Sequence, residues 1–434
     1  MMMFDDRYLI VRAASLYIAV MLTGVVWVWR RPAARAVRAA VLASVWNLPI
    51  VLALHLAAVH LGWWQFDAQG GLLLGIPVEL YLSWAWLWGF VLALAFPALT
   101  LGAVLAIALA ADLLLMPALA PVVRLGPAWI LGEVVGLLAG LLPGQLLARW
   151  TSRDERLAER AVLQVLAFIG LMTFVLPAVV IEGSGGTWLN PLDRPTWQLS
   201  LIAQGLALPA LLGLTAVQEF VARGGGTPVP FDPPRRLVTT GVYAYLRNPM
   251  QLSGVVLLLL LGLVLRNAWV SAAGVMAHLY SVGLAGWEDE DLRRRFGAEW
   301  VAYRQGVRGW VPRFRPWHPT DRPFARLFVA ERCGMCRDVG RWFEQRGARQ
   351  LAIVPAESHP SGSLRRITYE PGDGAPDATG VAAVARAFEH LHLGWALLGW
   401  LLRLPVICQF AQLVTDASGG EPRKIATGEA SPFR

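Results

Sequence analysis

The chain has 434 residues, of which 56% are hydrophobic and 16% are charged, and its formal net charge is +8. A soluble protein of ordinary composition carries about 25% charged residues, so the composition excludes that class and indicates an integral membrane protein. The arginines lie mostly in short loops between apolar runs. We therefore interpret the positive charge as a signal of membrane orientation and predict no nucleic-acid partner.

Nine apolar runs predict nine transmembrane helices, since crossing a bilayer takes roughly 17–25 apolar residues. The first run follows Asp5 and Asp6 rather than a basic stretch, so we interpret it as a membrane helix and not as a cleavable signal peptide. A break near Pro97 separates the third run from the fourth. The predicted spans are 8–29, 39–61, 79–97, 98–119, 127–148, 162–181, 198–221, 250–265 and 268–286.

Alternate loops differ in their arginine content. The basic segments are 30–38, 149–161, 222–249 and the stretch that follows the ninth span. Cytoplasmic loops carry the excess of Lys and Arg, and nine spans place all four basic segments on one side. The sequence therefore predicts a multi-pass protein of the plasma (inner) membrane, with its N-terminus outside and everything after about residue 287 in the cytoplasm.

Three acidic residues, Glu79, Asp112 and Glu133, lie within or near apolar spans of the N-terminal region. Ionisable groups are costly inside a membrane and usually face the protein interior, so they could line a path for a polar substrate. Alternatively, Glu79 and Asp112 lie close enough to span ends to reach interfacial water.

The segment 224–317 has the most informative pattern. Two polar, aromatic-rich stretches, 235–254 and 287–312, flank the last two apolar runs. Because a pair of helices returns the chain to the same membrane face, both stretches can close over one pocket. The residues expected within mutual reach there are Tyr243, Tyr245, Arg247, Glu288, Asp289 and Tyr303.

Such a pocket suits a cationic sulfonium cofactor. Carboxylates and aromatic faces stabilise positive charge, and an arginine binds a carboxylate through two hydrogen bonds. The alternative reading of the same residues is a basic membrane anchor at Arg247 beside an exposed charged helix at 288–295.

The two stretches also carry two ordered motifs. The matching positions are Leu237, Val238, Gly241, Tyr243, Arg247, Pro249, Glu288, Leu292, Phe296, Gly297, Tyr303, Val307 and Pro312. In these positions residues 224–317 resemble the isoprenylcysteine carboxyl methyltransferase family and its relatives, the phospholipid N-methyltransferases. The resemblance implies an S-adenosylmethionine-dependent methyltransferase whose cofactor site faces the cytoplasm and whose lipophilic or lipidated acceptor enters from the lipid.

The resemblance also assigns roles to residues. It implies that the catalytic residues are Arg247, Asn248 and Glu288. It implies that the cofactor is bound by Gly241, Tyr243, Tyr245, Arg247, Pro249, Glu288, Asp289 and Tyr303. The chain departs from the family pattern at Asn248, where the family has histidine, and at Gln251, where it has tyrosine. Since an amide cannot act as a base at neutral pH, a mechanism that needs an imidazole there is in doubt.

From about residue 324 the chain changes to the pattern of a soluble domain. An apolar strand at 326–330 precedes Cys333 and Cys336, and a helix is predicted at 337–346. A strand that leads into Cys-x-x-Cys at a helix start is the arrangement that lowers a thiol pKa. Zinc would need two further ligands, and the remaining cysteine and histidines lack paired spacing, so we predict no metal; two incidental cysteines remain an alternative.

Further elements of this region are a strand at 351–358 and helices at 381–391 and 393–405. With Cys333, Cys336, Trp342, Val354-Pro355 and the run Leu401–Pro405, they resemble the DCC family of thiol–disulfide oxidoreductases. The resemblance implies a thioredoxin-like α/β domain with a redox-active cysteine pair. That family places an aspartate where Ala330 stands here, which leaves thiol activation in doubt.

The predicted fold class is an all-α polytopic membrane protein with a C-terminal α/β thioredoxin-like domain. The predicted domains are an unassigned membrane region at 1–196, a methyltransferase domain at 197–317, a thiol domain at 324–423 and a tail at 424–434. The favoured function is a membrane methyltransferase that uses S-adenosylmethionine. The alternatives are a membrane-anchored thiol–disulfide oxidoreductase and a non-catalytic membrane scaffold.

Overall fold

The computed structural model describes residues 6–120, 122–188, 193–229, 232–361 and 364–422. The described chain is mostly helical. Seven of its helices are long and apolar enough to cross a membrane, which indicates a multi-pass membrane protein. They are α1 (Asp6–Arg30), α2 (Ala34–Leu61), α3 (Val78–Ala95), α4 (Leu101–Ala118), α5 (Trp129–Arg153), α6 (Leu157–Gly183) and α7 (Thr196–Gly224).

The predicted break near Pro97 is confirmed, because α3 ends at Ala95 and α4 begins at Leu101. Proline lacks the N–H of an intrahelical hydrogen bond, and it disfavours a helical conformation of the residue before it. The side-chain oxygen of Thr100 then accepts from the backbone N–H of Ala103 and caps the new helix. Hydropathy and one proline therefore sufficed to place this boundary.

The last two predicted spans correspond to α8 (Pro249–Leu265) and α9 (Ala268–Gly306). The apolar helix α8 has 17 residues. The predicted span 268–286 corresponds to the apolar first part of α9, Ala268–Gly283, after which the helix bends by 48° and continues from Glu288 to Gly306. Hydropathy registers the end of the apolar run, but a charged sequence sustains a helix equally well. Gly297, with φ +54°, interrupts its regular geometry.

Compact packing divides the chain into two units. The first contains residues 1–199, 227–233 and 258–275, and the second contains 200–226, 234–257 and 276–434. In the first unit, the core lies around α2 and includes side chains of α3, α4 and α5. Glycines allow α5 to pack closely, since a Cβ at Gly136 would lie 2.8 Å from the ring of Trp88.

Two small antiparallel sheets complete the first unit. The strands β1 (Trp64–Phe66) and β4 (Val123–Leu125) form one sheet, and β2 (Leu72–Leu73) and β3 (Ile76–Pro77) form the other. The sequence predicted none of these strands, because each has only two or three residues. Alternation of apolar residues cannot be recognised over so short a stretch.

The second unit contains a four-stranded sheet in the order β6-β5-β7-β8. The strands are β5 (Ala325–Val329), β6 (Leu351–Pro355), β7 (Thr368–Glu370) and β8 (Ala378–Thr379). β5 and β6 are parallel, whereas β7 is antiparallel to both β5 and β8. The strands predicted at 326–330 and 351–358 are thus present, whereas β7 and β8 were not predicted.

Four helices accompany this sheet. They are α10 (Gly334–Gln345), α11 (Val381–Phe388), α12 (Leu393–Arg403) and α13 (Pro405–Thr415). The first three agree with predicted helices, and α13 was not predicted. The helical segments on the two sides of Leu404 meet at 90° and together have the length and composition of a broken membrane span. The predicted tail at 424–434 lies outside the described residues.

Candidate functional site

The first motif stretch folds as a short 3₁₀-helix, Gly241–Ala244. Gly241 has φ +60°, a conformation that glycine adopts without strain. A Cβ at this position would lie 2.9 Å from Cδ of Glu219 in α7. On its other side the 3₁₀-helix is buried against Trp400 of α12. The first motif is therefore held between a membrane helix and the C-terminal segment.

The three predicted tyrosines are all buried, but their hydroxyl groups differ. Tyr245 donates to the backbone carbonyl of Glu389 at 2.9 Å, and Tyr303 donates to the carbonyl of Tyr243 at 2.9 Å. Among the described residues the hydroxyl of Tyr243 has no partner. Burial raises the pKa of Tyr243 and of Tyr245, so both phenols stay protonated. Two of the hydroxyls are thus engaged in packing, and only that of Tyr243 is unsatisfied.

Arg247 brings the two motif stretches together. Its backbone N–H donates to the carbonyl of Arg308 at 3.0 Å, and its guanidinium lies 5.6 Å from the ring centroid of Trp300. The Trp300 ring N–H donates to Oδ1 of Asp289 at 2.9 Å, and Arg304 forms an ion pair with the same carboxylate. Burial lowers the pKa of the Arg247 guanidinium. The structure thus places Arg247, Trp300 and Asp289 in one polar cluster.

The remaining motif residues lie at the start of α8. The backbone N–H of Asn248 donates to the carbonyl of Gly309 at 3.2 Å. Pro249 is the first residue of α8, where its missing N–H leaves no hydrogen bond unmade. Glu288 is exposed and lies beside Gln251. The two acidic positions therefore differ: Asp289 belongs to the Arg247 cluster, and Glu288 lies beside the start of α8.

Glu219 is a further buried residue of this region, to which the sequence analysis assigned no role. It has 0% exposure. Its carboxylate accepts from Nη1 of Arg386 at 2.9 and 3.0 Å and from Nη2 of Arg403 at 2.7 Å. It also accepts from the hydroxyl of Thr240, next to Gly241. Arg403 and Arg386 both contact Glu389 as well. We call Glu219, Arg386, Arg403 and Glu389 the ion cluster.

One sequence signal could have identified Glu219, namely a carboxylate inside the apolar run 198–221. Its partners could not be identified in this way. Arg386 and Arg403 follow it by 167 and 184 residues, and no local pattern connects them. The ion cluster is therefore a product of the tertiary fold.

A polar cleft in the second unit is lined by the first motif and by the sheet region. The lining includes Gly241, His318, Arg322, Tyr369 and His390. His390 Nδ1 is 2.8 Å from the carbonyl of Arg349 and must donate to it, so Nε2 accepts from the Tyr369 hydroxyl at 2.9 Å. The rings of His318 and His390 stack 5.3 Å apart. Burial lowers the pKa of His390, and burial with the nearby His390 lowers that of His318 to about 3.

The cysteine pair lies at the N-terminus of α10. The backbone N–H of Cys336 donates to the sulfur of Cys333 at 3.3 Å, so Cys333 caps the helix. Both thiols are partly buried, and burial raises the pKa of Cys336 to about 12. Within the described ranges, no group of three or more His, Cys, Asp or Glu is arranged to hold a metal ion.

Comparison with known families gives one match. Residues 205–299 match the family model of phospholipid methyltransferases. The matched range runs from α7 into α9, so it includes Glu219, Arg247 and Asp289, and it does not extend to the cysteine pair. Neither the curated proteins nor the solved structures provide a match. The match supports the reaction class predicted from the sequence, that of a membrane methyltransferase.

Proposed function

We propose that the chain is an S-adenosylmethionine-dependent methyltransferase that acts on a lipophilic acceptor in the membrane. The observation that carries the proposal is the contact of the two motif stretches through Arg247, Trp300 and Asp289. Arg247 and Asp289 fall within the range that matches phospholipid methyltransferases, and Trp300 lies one residue beyond its end. The match supports the reaction class, and the contact supports the place of the site.

The polar cluster has the groups that such a cofactor requires. No carboxylate of the described residues lies within salt-bridge distance of the Arg247 guanidinium, whose Nη1 donates to the carbonyl of Arg304 at 3.4 Å, so its other N–H groups can bind the cofactor's carboxylate. The ring of Trp300 and the carboxylate of Asp289 suit the cofactor's positively charged groups. The cofactor would supply an activated methyl group, and these residues would hold and orient it.

Binding of S-adenosylmethionine to the purified full chain, measured by calorimetry in detergent, tests this proposal. A charge-assisted hydrogen bond contributes about 1.5–3 kcal/mol, so Arg247→Ala should weaken binding by roughly 10- to 100-fold. Asp289→Asn should weaken it in the same direction. Arg294→Ala is the matched control, because Arg294 is exposed and, among the described residues, pairs only with Glu290 on its own helix. A wild type that does not bind, or equal affinities of wild type and Arg247→Ala, would contradict the site.

Asn248 offers a second test of the same site. If the missing imidazole limits chemistry and not cofactor capture, Asn248→His should raise the rate of methyl transfer while S-adenosylmethionine affinity stays level. Glu288→Gln tests the exposed acidic position separately. We expect a smaller loss of affinity than for Asp289→Asn, since Glu288 lies beside Gln251 and outside the Arg247 cluster.

A second function, thiol redox chemistry, is favoured by the C-terminal sheet. We propose that residues 324–423 form a thioredoxin-like module with a reversible Cys333–Cys336 dithiol. The parallel pair β5 and β6 with α10 between them, followed by the antiparallel β7 and β8, supports this proposal. Mild oxidation of the full chain should remove two thiols together. The Cys336→Ser variant should not lose two thiols together, whereas Cys408→Ser should lose them as the wild type does. A Cys336→Ser variant that oxidises as the wild type does would contradict the proposal.

We propose nine spans with the N-terminus outside the inner membrane, α8 and α9 being the last two. Seven long apolar helices, the shorter α8 and the apolar first part of the bent helix α9 together give this number. In a cysteine-free background, a cysteine at Asp67 should react with an impermeant reagent from outside, and one at Glu155 should not. Reaction of position 155 from outside would contradict the topology.

A further inference from the structure

Glu133 is completely buried in α5 and has 0% exposure. Neither of its carboxyl oxygens has a hydrogen-bond partner within the described part of the chain. The helix around it packs against aromatic rings: a Cβ at Gly132 would lie 2.4 Å from Trp64, and one at Gly136 would lie 2.8 Å from Trp88. An ionised carboxylate in such an apolar setting costs several kcal/mol. The Glu133 carboxyl is therefore stable in this position only when a bound ligand neutralises its negative charge.

Asp112 is the acidic neighbour of Glu133. It lies on α4, which packs against α5, and one of its carboxyl oxygens is buried without a partner. The side chain of Trp88 lies beside the same carboxyl. The two carboxyls are close enough to repel each other when both are ionised. Ionisation of both acids is therefore unfavourable, and protonation of one of them is the usual solution.

The other titratable groups around this part of the first unit already have partners. Glu79 forms an ion pair with Arg12, His55 Nε2 lies 3.1 Å from the carbonyl of Leu74, and the hydroxyl of Tyr81 donates to the carbonyl of Leu48. No arginine, lysine or histidine in the described ranges lies within salt-bridge distance of Asp112 or Glu133. The charge of the pair is thus not balanced by the protein itself.

We propose that Glu133, with Asp112 as its acidic neighbour, forms a proton-binding site inside the membrane bundle and holds one exchangeable proton. A proton fits better than a metal ion, because two carboxyls fall short of the six or more oxygens that Ca²⁺ or Mg²⁺ requires. On binding, a proton from water joins the Glu133 carboxylate and gives the neutral acid. On release the proton returns to water and the Glu133 carboxylate regains its negative charge. The site is independent of the methyltransferase proposal.

A lipid-soluble carbodiimide tests the protonated state directly. The reagent adds a carboxylic acid across one of its C=N bonds, and the adduct retains all atoms of both partners, so intact mass reports each event. Full-length protein in lipid vesicles should gain one adduct that maps to Glu133, and the rate should fall as the pH rises. Glu133→Gln should lose at least 90% of this labelling. Glu182→Gln, which removes an exposed carboxyl of α6, should label as the wild type.

Asp112→Asn and infrared spectroscopy complete the test. Without the negative neighbour, Glu133 should release its proton more readily, and labelling should decline at a lower pH than in the wild type. The carbonyl stretch of a protonated carboxyl should appear in wild type, shift in heavy water because the proton exchanges, and be absent from Glu133→Gln. Undiminished labelling of Glu133→Gln, or a wild-type spectrum without this band across mildly acidic to mildly alkaline pH, would overturn the proposal.

Discussion

Glu133 and Glu219 are both fully buried glutamates, and the protein treats them differently. Glu219, in the second unit, accepts hydrogen bonds from Arg386, Arg403 and Thr240. Glu133, in the first unit, has no hydrogen-bond partner among the described residues. Both carboxyl groups are buried away from water, but only that of Glu219 is paired with positively charged side chains.

The comparison distinguishes a buried carboxylate that remains charged and stabilises the fold from a buried acid that binds and releases a proton. A buried ion with well-placed partners is fixed in its charged form, and removal of one partner leaves the others uncompensated. A buried acid without partners is stable only when neutral, so it responds to the proton concentration. The same residue type therefore stabilises the fold in the second unit and forms the proposed proton site in the first.

The largest expected effect is that of Glu219→Gln. The substitution leaves Arg386 and Arg403 buried without this carboxylate, and disruption of a buried pair costs about 3–5 kcal/mol. Denaturant unfolding in detergent should show a loss of that size in the free energy of unfolding. The control Glu290→Gln removes an exposed charge that pairs with Arg294 one turn away, and it should change stability by less than about 0.5 kcal/mol. Equal stabilities of the two variants would contradict the structural role of the ion cluster.

Gly241→Ala tests whether Glu219 positions the first motif. The new Cβ would meet the Glu219 carboxyl, and an alanine at φ +60° is strained. Strain and overlap together should lower the free energy of unfolding by about 2–4 kcal/mol. Binding of S-adenosylmethionine should weaken in parallel. Gly254→Ala provides the comparison, because a Cβ there meets no atom within 4 Å and the residue lies in α8. A Gly241→Ala protein that matches Gly254→Ala in both measurements would show that the approach to Glu219 is unimportant.

A pH titration should distinguish the second unit from the first at acidic pH. Burial lowers the pKa of His390 below its usual 6.5 in the folded state. As the pH falls, His390 is therefore protonated in the unfolded chain before it is protonated in the folded one. The contribution of neutral His390 to the free energy of unfolding is complete above about pH 6.5 and is lost as the pH falls below that value. Between pH 7 and pH 5 the free energy of unfolding should therefore decrease. His390→Gln should reduce this dependence and leave the part that comes from His318, whose pKa is also lowered, whereas the exposed His60→Gln should retain the wild-type slope.

The smallest effect is expected for Glu133→Gln. A neutral amide replaces an acid that is already neutral, so the free energy of unfolding near neutral pH should change by less than about 1 kcal/mol or increase slightly. The same chemical substitution thus has opposite consequences in the two units. A loss as large as that of Glu219→Gln would mean that Glu133 is charged and compensated in the folded protein.

The membrane spans were accessible to sequence analysis because hydropathy and proline act locally. Seven spans and the break before Leu101 follow from them. The contact between the two motif stretches was also anticipated, since a helical hairpin returns the chain to one face. The hydrogen bonds of Tyr245 and Tyr303 were not, because a tyrosine in a motif has the same sequence signature whether its hydroxyl faces a ligand or a backbone carbonyl. The ion cluster depends on residues far apart in the chain, which no pattern in one sequence connects.

The distance along the chain between Glu219 and its arginines imposes an order on biosynthesis. Translation proceeds at about 5–20 residues per second, so the 184 positions that separate Glu219 from Arg403 take roughly 10–40 s to synthesise. During that interval α7 is already available to the membrane with Arg223, one turn after Glu219, while Arg386 and Arg403 do not yet exist. A nascent chain halted before Arg386 therefore presents a first motif whose supporting carboxylate still lacks two of its arginine partners.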